Sequence, residues 1–137
     1  MAKEFRYRRR VQWVDTDKGG IIHFSNYFRY MEETETEFHL SLGTETLHRG
    51  NVPFRPRRAV EAEFLRTVTF GDLLDIYLRV EKVGRSSITY SFRFEHEGEQ
   101  VARAGLTVVF VKPGEDGRLK PIDVPPNIRA ALTDGPE

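Results

Sequence analysis

The sequence predicts an α+β fold in which a curved antiparallel sheet wraps one long helix, and three features predict it. One stretch, Phe24 to Leu42, has helical period. The other patterned segments alternate apolar and polar residues with period two. Tight turns rich in glycine join the last of these segments. A period-two strand buries one side only, and the apolar stripe of a helix needs a partner, so the simplest solution lays the helix against one face of the sheet.

The first strand runs from Phe5 to Trp13. Phe5, Tyr7, Val11 and Trp13 share one face with Arg9, and Arg6, Arg8, Arg10 and Gln12 share the other. In the helix, Phe24, Phe28, Met31, Phe38 and Leu42 form the stripe, with Tyr27 beside it. Ser25 or Asn26 is a candidate cap, and Gly43 supplies the stop. About 18 helical residues span about 27 Å. Glu35 breaks the stripe near its centre, where a carboxylate must pair with an arginine, meet a subunit interface or an acyl pocket, or reach water through a slight roll of the helix.

Thr44 to Pro56 is polar, contains Gly50, Pro53 and Pro56, and reads as a loop. Four strands follow, at Arg58–Val68, Leu74–Val83, Ser87–Glu95 and Val101–Val111, with turns at Gly71-Asp72, Gly84-Arg85 and Glu97-Gly98-Glu99. Residues 112–137 form an extended tail rich in proline and glycine, with one short helix near Pro126 to Leu132. No repeat or linker divides the chain, which reads as one domain over 1–137.

Composition removes several classes of function. Lys plus Arg and Asp plus Glu both total 21, so the formal net charge is +0 and a general nucleic-acid or anionic-membrane binder is not expected. Cysteine is absent, which removes disulfides, cysteine zinc sites and thiol nucleophiles and fits a reducing compartment. The N-terminus lacks the apolar core of a signal peptide, and no run of about 18 apolar residues exists to span a membrane. A cytoplasmic protein is the expectation. His23, His39, His48 and His96 show no metal-ligand spacing, so neither a metal nor a redox cofactor is expected. No nucleophile elbow, P-loop or dinucleotide fingerprint is present.

The stretch VDTDKGGIIHFSNYFRYM, Val14 to Met31, carries the chemistry. Two carboxylates, Asp15 and Asp17, precede Gly19-Gly20 and a helix start. The first turn of a helix leaves backbone N–H groups unpaired and partly positive. A carbonyl placed there is polarised, and the oxyanion formed on attack is stabilised by roughly 10²–10³-fold in rate per donor. Glycine allows positive φ and close backbone approach. A nearby aspartate can act as nucleophile or as general base on water, the latter adding roughly 10²–10⁴-fold. These parts fit acyl transfer to water. The plainer reading makes both aspartates turn and capping residues.

Asp15-Thr16-Asp17, Gly20, Asn26-Tyr27, Tyr30, Glu32 and Gly43 resemble the signature of the 4-hydroxybenzoyl-CoA thioesterase family. Phe70-Gly71-Asp72, the Val83-Gly84-Arg85-Ser86-Ser87 turn, Val109-Phe110-Val111 and the stretch from Gly117 to Pro121 extend the likeness over nearly the whole chain. The resemblance implies the hotdog fold, thioester hydrolysis of an acyl-CoA, and a dimer or tetramer with sites between subunits. It makes Asp17 the catalytic carboxylate and the backbone N–H of Phe24 the polarising donor. Gly20, His23 and Asn26 would line the pocket, with Tyr27 a further candidate. Arg85, Ser86 and Ser87 would lie near the pantetheine or phosphates of coenzyme A, which is substrate rather than cofactor. The planar fork of arginine suits phosphate, and among Arg55, Arg57, Arg58, Lys82 and Arg85 the best single candidate is Arg85, the plainer reading of these charges being a solvated strand edge.

Two departures stand out. Members close to the Tol-Pal-linked acyl-CoA thioesterases carry Tyr-His where this chain has His23-Phe24, which displaces the histidine by one position. They often carry arginine where Glu35 stands. The rival readings are a hotdog hydratase or dehydratase, a thioesterase branch using a helix carboxylate at Glu32, Glu33 or Glu35, and a non-catalytic acyl-thioester binder.

Overall fold

A computed structural model describes residues 4–44 and 54–133. The element order is β1 (Glu4–Arg10), α1 (Ser25–Ser41), β2 (Arg57–Phe64), β3 (Leu73–Val83), β4 (Ser87–His96), β5 (Glu99–Val109), β6 (Val111–Pro113), β7 (Leu119–Pro121) and α2 (Pro126–Thr133). Five strands form one antiparallel sheet in the order β1-β3-β4-β5-β2. The long helix lies against it, as the alternation of the strands requires. This is the hotdog architecture.

The register sets the inner face. Phe5 and Tyr7 of β1 stand opposite Leu78 and Ile76 of β3, and Ile76, Leu78 and Val80 stand opposite Phe94, Phe92 and Tyr90 of β4. All the β3 and β4 members of this set are buried. Burying such a side chain contributes about 1.5–3 kcal/mol, so this face and α1 form the core. The helix presents Tyr27, Tyr30, Met31, Thr34, Glu35, Phe38 and His39 to it. The helix is therefore rolled from the expected stripe. Tyr27 and Tyr30 lie in the core, and Phe24 is 58% exposed.

Three strand ends differ from expectation. β1 stops at Arg10 because Asp15 turns the chain back: its backbone N–H donates to Gln12 O at 3.0 Å and its carboxylate accepts the Gln12 N–H at 3.3 Å. Trp13 is thus in a 3₁₀ turn and exposed, not on a strand face. β2 ends at Phe64, after which the Leu65 and Arg66 N–H groups both donate to Val101 O and the ladder register is lost. β5 ends at Val109, and residues from Val111 make a small hairpin, β6–β7, inside the expected tail. The short second helix is present at Pro126–Thr133. Of the expected loop, residues 45–53, including His48, Gly50 and Pro53, lie outside the described residues, as does the end of the tail.

The sheet is not covered evenly. Among the described residues β2 pairs with β5 alone, and its other edge has no partner strand. Its inner-face residues Val60 and Phe64 are 48% and 46% exposed, whereas Leu106, opposite Val60, is 5% exposed.

Candidate active site

The loop between β1 and α1 folds back on itself. Thr16 and Ile22 form an antiparallel bridge, Asp17 N donates to Ile21 O at 2.8 Å, and Gly20 N donates to Asp17 O at 3.0 Å. Gly20 has φ +84°, the left-handed turn that glycine allows without strain. The Asp17 side chain is exposed, and its carboxylate accepts the Gly19 N–H at 2.8 Å. A Cβ on Gly19 would stand 3.3 Å from that oxygen.

The Ile22 N–H donates to Val68 O, which fixes the loop against the segment before β3, and the His23 N–H donates to Asp15 O. The helix starts at Ser25 with Phe24 in the cap position and no side-chain cap. The expectation that Ser25 or Asn26 caps the helix is corrected. Asn26 instead donates its side-chain N–H to Asp15 O at 2.8 Å, and Ser25 Oγ meets His23 Nδ1 at 2.8 Å. Among the described residues the Phe24 N–H donates to no group. His23 is exposed and stacks on Phe24 with ring centroids 4.8 Å apart.

Asp15 anchors this loop. Only 2% of its side chain is exposed. It accepts the Tyr30 hydroxyl at 2.5 Å and a short contact from Arg29, and Arg9 stands 3.6 Å away. Burial alone would push the Asp15 carboxyl up, but Tyr30, the Gln12 N–H and the two guanidiniums hold it below its ordinary value. Glu33 completes the cluster, accepting from Arg9, Arg29 and the Tyr7 hydroxyl at 2.8, 3.1 and 2.9 Å. Burial and Glu33 push the Tyr7 phenol up to about 12. Sequence reasoning did not find this network. Its signal was Arg9, a charge on the apolar face of β1.

Beside the helix start lies a cleft of about 300 Å³ lined by Ile21, Ile22, Phe24, Tyr27, Phe64 and Leu65, among others. Tyr27 and Phe24 are the predicted site residues that line it. Gly20, Asp17 and His23 belong to the loop that enters it. Asn26 braces the loop backbone.

Arg85, Ser86 and Ser87 lie elsewhere. They follow the last residue of β3, whereas the Asp17 loop abuts the segment just before its first residue. Ten steps of strand at about 3.3 Å put them roughly 30 Å apart in one chain. Arg85 pairs with Asp123 at 2.8 Å, with both side chains largely exposed. The Ser86 and Ser87 carbonyls accept the Phe110 and Gly84 N–H groups. One chain does not bring the two halves of the predicted site together.

Glu35 does not reach water. It is fully buried and pairs with Arg57 at 2.5 Å and Arg55 at 3.4 Å, so the rolled-helix alternative is corrected. Burial, with Glu35 next, pushes the nearby Tyr90 phenol well up, and Tyr90 Oη meets His39 Nε2 at 2.8 Å. Glu33 and Glu35 are thus committed to ion pairs, while Glu32 is exposed and stands 3.8 Å from Arg57. Among the described residues no helix is long and apolar enough to cross a membrane.

A sheet wrapped round a helix, with an acidic loop at the helix start, defines the thioester-hydrolase class of hotdog proteins. The model of the thioesterase-like superfamily matches residues 11–132, and the chain belongs to that family. A hypothetical protein of Aquifex aeolicus, known from its crystal structure, is 32% identical with a TM-score of 0.83, the match covering 94% of this chain and 99% of that one. A 1,4-dihydroxy-2-naphthoyl-CoA hydrolase of Prochlorococcus marinus is 28% identical over 77% of this chain and 74% of its own. An acyl-CoA thioester hydrolase, YbgC, of Escherichia coli O6:H1 is 27% identical over 92% and 93%.

Proposed function

We propose that this chain hydrolyses acyl-CoA thioesters, with Asp17 as the catalytic carboxylate and the Phe24 N–H as the oxyanion donor. What carries the reading is an exposed carboxylate on the loop that leads into α1, a Phe24 N–H that donates to no described group at the helix start, and an apolar cleft beside that start. The thioester carbonyl oxygen accepts from Phe24. Asp17 takes a proton as water adds to the carbonyl carbon, or attacks that carbon itself to give a mixed anhydride that water opens. The C–S bond breaks and coenzyme A leaves as the thiolate, which then takes up a proton. Preorganised donors and base catalysis are the two terms this geometry supplies.

The acyl group in this reading is small, aromatic or short-chain. The aromatic walls Phe24, Tyr27 and Phe64 support it, as does the likeness to a naphthoyl-CoA hydrolase. Coenzyme A is held by the Arg85-Ser86-Ser87 turn of a second copy. β2 runs from the Arg85 end of the sheet, where the Val109 N–H donates to Pro56 O, to the Asp17 end, where Leu65 joins Val101. Two copies joined antiparallel along their open β2 edges swap these ends, so one copy's turn comes beside the other's loop. The same pairing covers Val60 and Phe64 and sets Arg57 and Arg58 near Glu61 and Glu63 of its mate.

A panel of acyl-CoAs with a thiol-detecting reagent tests the reading. Thiol release from short-chain or aromatic acyl-CoAs is expected. Binding of the same compounds with no thiol release would establish a binder instead.

A further inference from the structure

Two apolar hollows draw their linings from α1 and β2. The first is the cleft of about 300 Å³ at the helix start. The second, of about 280 Å³, is walled by Phe28, Met31, Val60 and Leu106, with Arg29, Glu32 and Arg57 as its polar lining. The order is the same on both elements. On α1, Tyr27 is followed by Phe28, Met31 and Glu32. On β2, read backwards, Phe64 is followed by Val60 and Arg57.

Tyr27 and Phe64 both line the first hollow, and on each element they precede the residues of the second; their ring centroids are 4.8 Å apart with planes at 37°. The two halves of this wall differ. Tyr27 is 3% exposed and is held from its other side by Phe94, edge-on at 5.2 Å. Phe64 is 46% exposed and sits on the last residue of an edge strand. Phe64 is the half that can be removed without opening the core.

We infer that Phe64 sets the length of acyl group the site accepts. This rests on the reading that the acyl group enters the cleft beside Phe24. The ring of Phe64 closes the far end of that cleft and keeps the second hollow out of use. From Phe24 to Glu32 is eight residues, about 12 Å of helix rise, so removing the wall nearly doubles the depth open to a substrate. The occupant it then admits is an unbranched alkyl chain. Apart from Arg29, whose guanidinium is paired with Asp15 and Glu33, the walls are carbon as far as Arg57 and Glu32, and these charges reject apolar matter beyond that point. Each further methylene buried tightens binding roughly fourfold.

Calorimetric titration of the full chain with S-ethyl-CoA and S-octyl-CoA, thioethers that no hydrolase can cleave, tests this. Phe64→Ala is expected to raise the octyl-to-ethyl affinity ratio at least tenfold, and Phe64→Leu to raise it less. Adding Val60→Phe to Phe64→Ala refills the second hollow and returns the ratio to the wild-type value. An unchanged ratio in Phe64→Ala, as when side chains of a second copy already occupy the second hollow, overturns the inference. So does an equal loss of affinity for both thioethers, or a gain that Val60→Phe leaves standing. The readout needs no turnover. A shifted ratio in a chain that releases no thiol would contradict the proposed hydrolysis and leave the role of Phe64 intact.

Discussion

Asp15 accepts the Tyr30 hydroxyl at 2.5 Å, and this bond ties the loop bearing Asp17 to the second turn of α1. Arg9 and Arg29 balance the buried charge, the share of Arg29 being screened because 43% of its side chain is exposed. Asp15→Asn leaves these cations without their anion and is expected to cost about 3 kcal/mol at neutral pH. The Asp15 carboxyl is lowered on folding, so its contribution is complete above its ordinary value near 3.8 and is lost as pH falls through the lower folded value. Urea unfolding from pH 7 to pH 3 should show the gap between wild type and variant close at the acid end. A gap independent of pH would contradict the assignment.

Glu35 is a second buried anion, shared by two arginines from the start of β2. Glu35→Ala strands both and is expected to cost about 3–5 kcal/mol, with Glu35→Gln intermediate. Chemical denaturation at pH 7 checks this. A loss below about 1 kcal/mol would mean that the pairs are no stronger than surface ones.

The adjacent glycines of the loop do different work. Gly20→Ala meets no atom within 4 Å but must hold φ +84°, which costs about 1–2 kcal/mol and shows as a lower Tm. Gly19→Ala puts a methyl 3.3 Å from the Asp17 carboxylate. Its expected effect is a fall in kcat with little change in Tm. Equal effects of the two variants on both quantities would count against this division.

If each site draws Asp17 from one copy and Arg85 from the other, two crippled variants can repair each other. Asp17→Asn and Arg85→Ala, each with low kcat/KM, are mixed one to one and refolded together. Half of the dimers then carry both variants, and each of these has one site with both residues intact. The mixture should recover about a quarter of wild-type turnover. No recovery would place both residues of a site in the same chain.

Much of this fold was legible because the strands β3, β4 and β5 alternate cleanly and α1 has a clear period. The roll of α1 was not legible. Tyr30 and His39 fall outside the apolar stripe of Phe24, Phe28, Met31, Phe38 and Leu42, yet their hydroxyl and ring nitrogens find buried partners in Asp15 and Tyr90. The end of β1 was misread because Val11 and Trp13 continue the alternation, while Asp15, five residues beyond the last strand residue, turns the chain by bonding Gln12. The Asp17 loop was visible as a motif of aspartates and glycines. Phe64 and Leu65 of the cleft were not, since they come from β2 and reach α1 only through the strand order of the sheet. The separation of Arg85 from Asp17 likewise follows from β3 running between them, which no local pattern records.

The central claim is the chemical role of Asp17, and the Asp17→Asn variant tests it most directly. The side chain is exposed and its one described contact is the Gly19 N–H, so stability should change by less than about 0.5 kcal/mol. Turnover of the best acyl-CoA, followed by thiol release at saturating substrate, should fall roughly 10²–10⁴-fold with the fold intact. A variant that keeps the wild-type kcat would contradict the account and move the chemistry to another carboxylate.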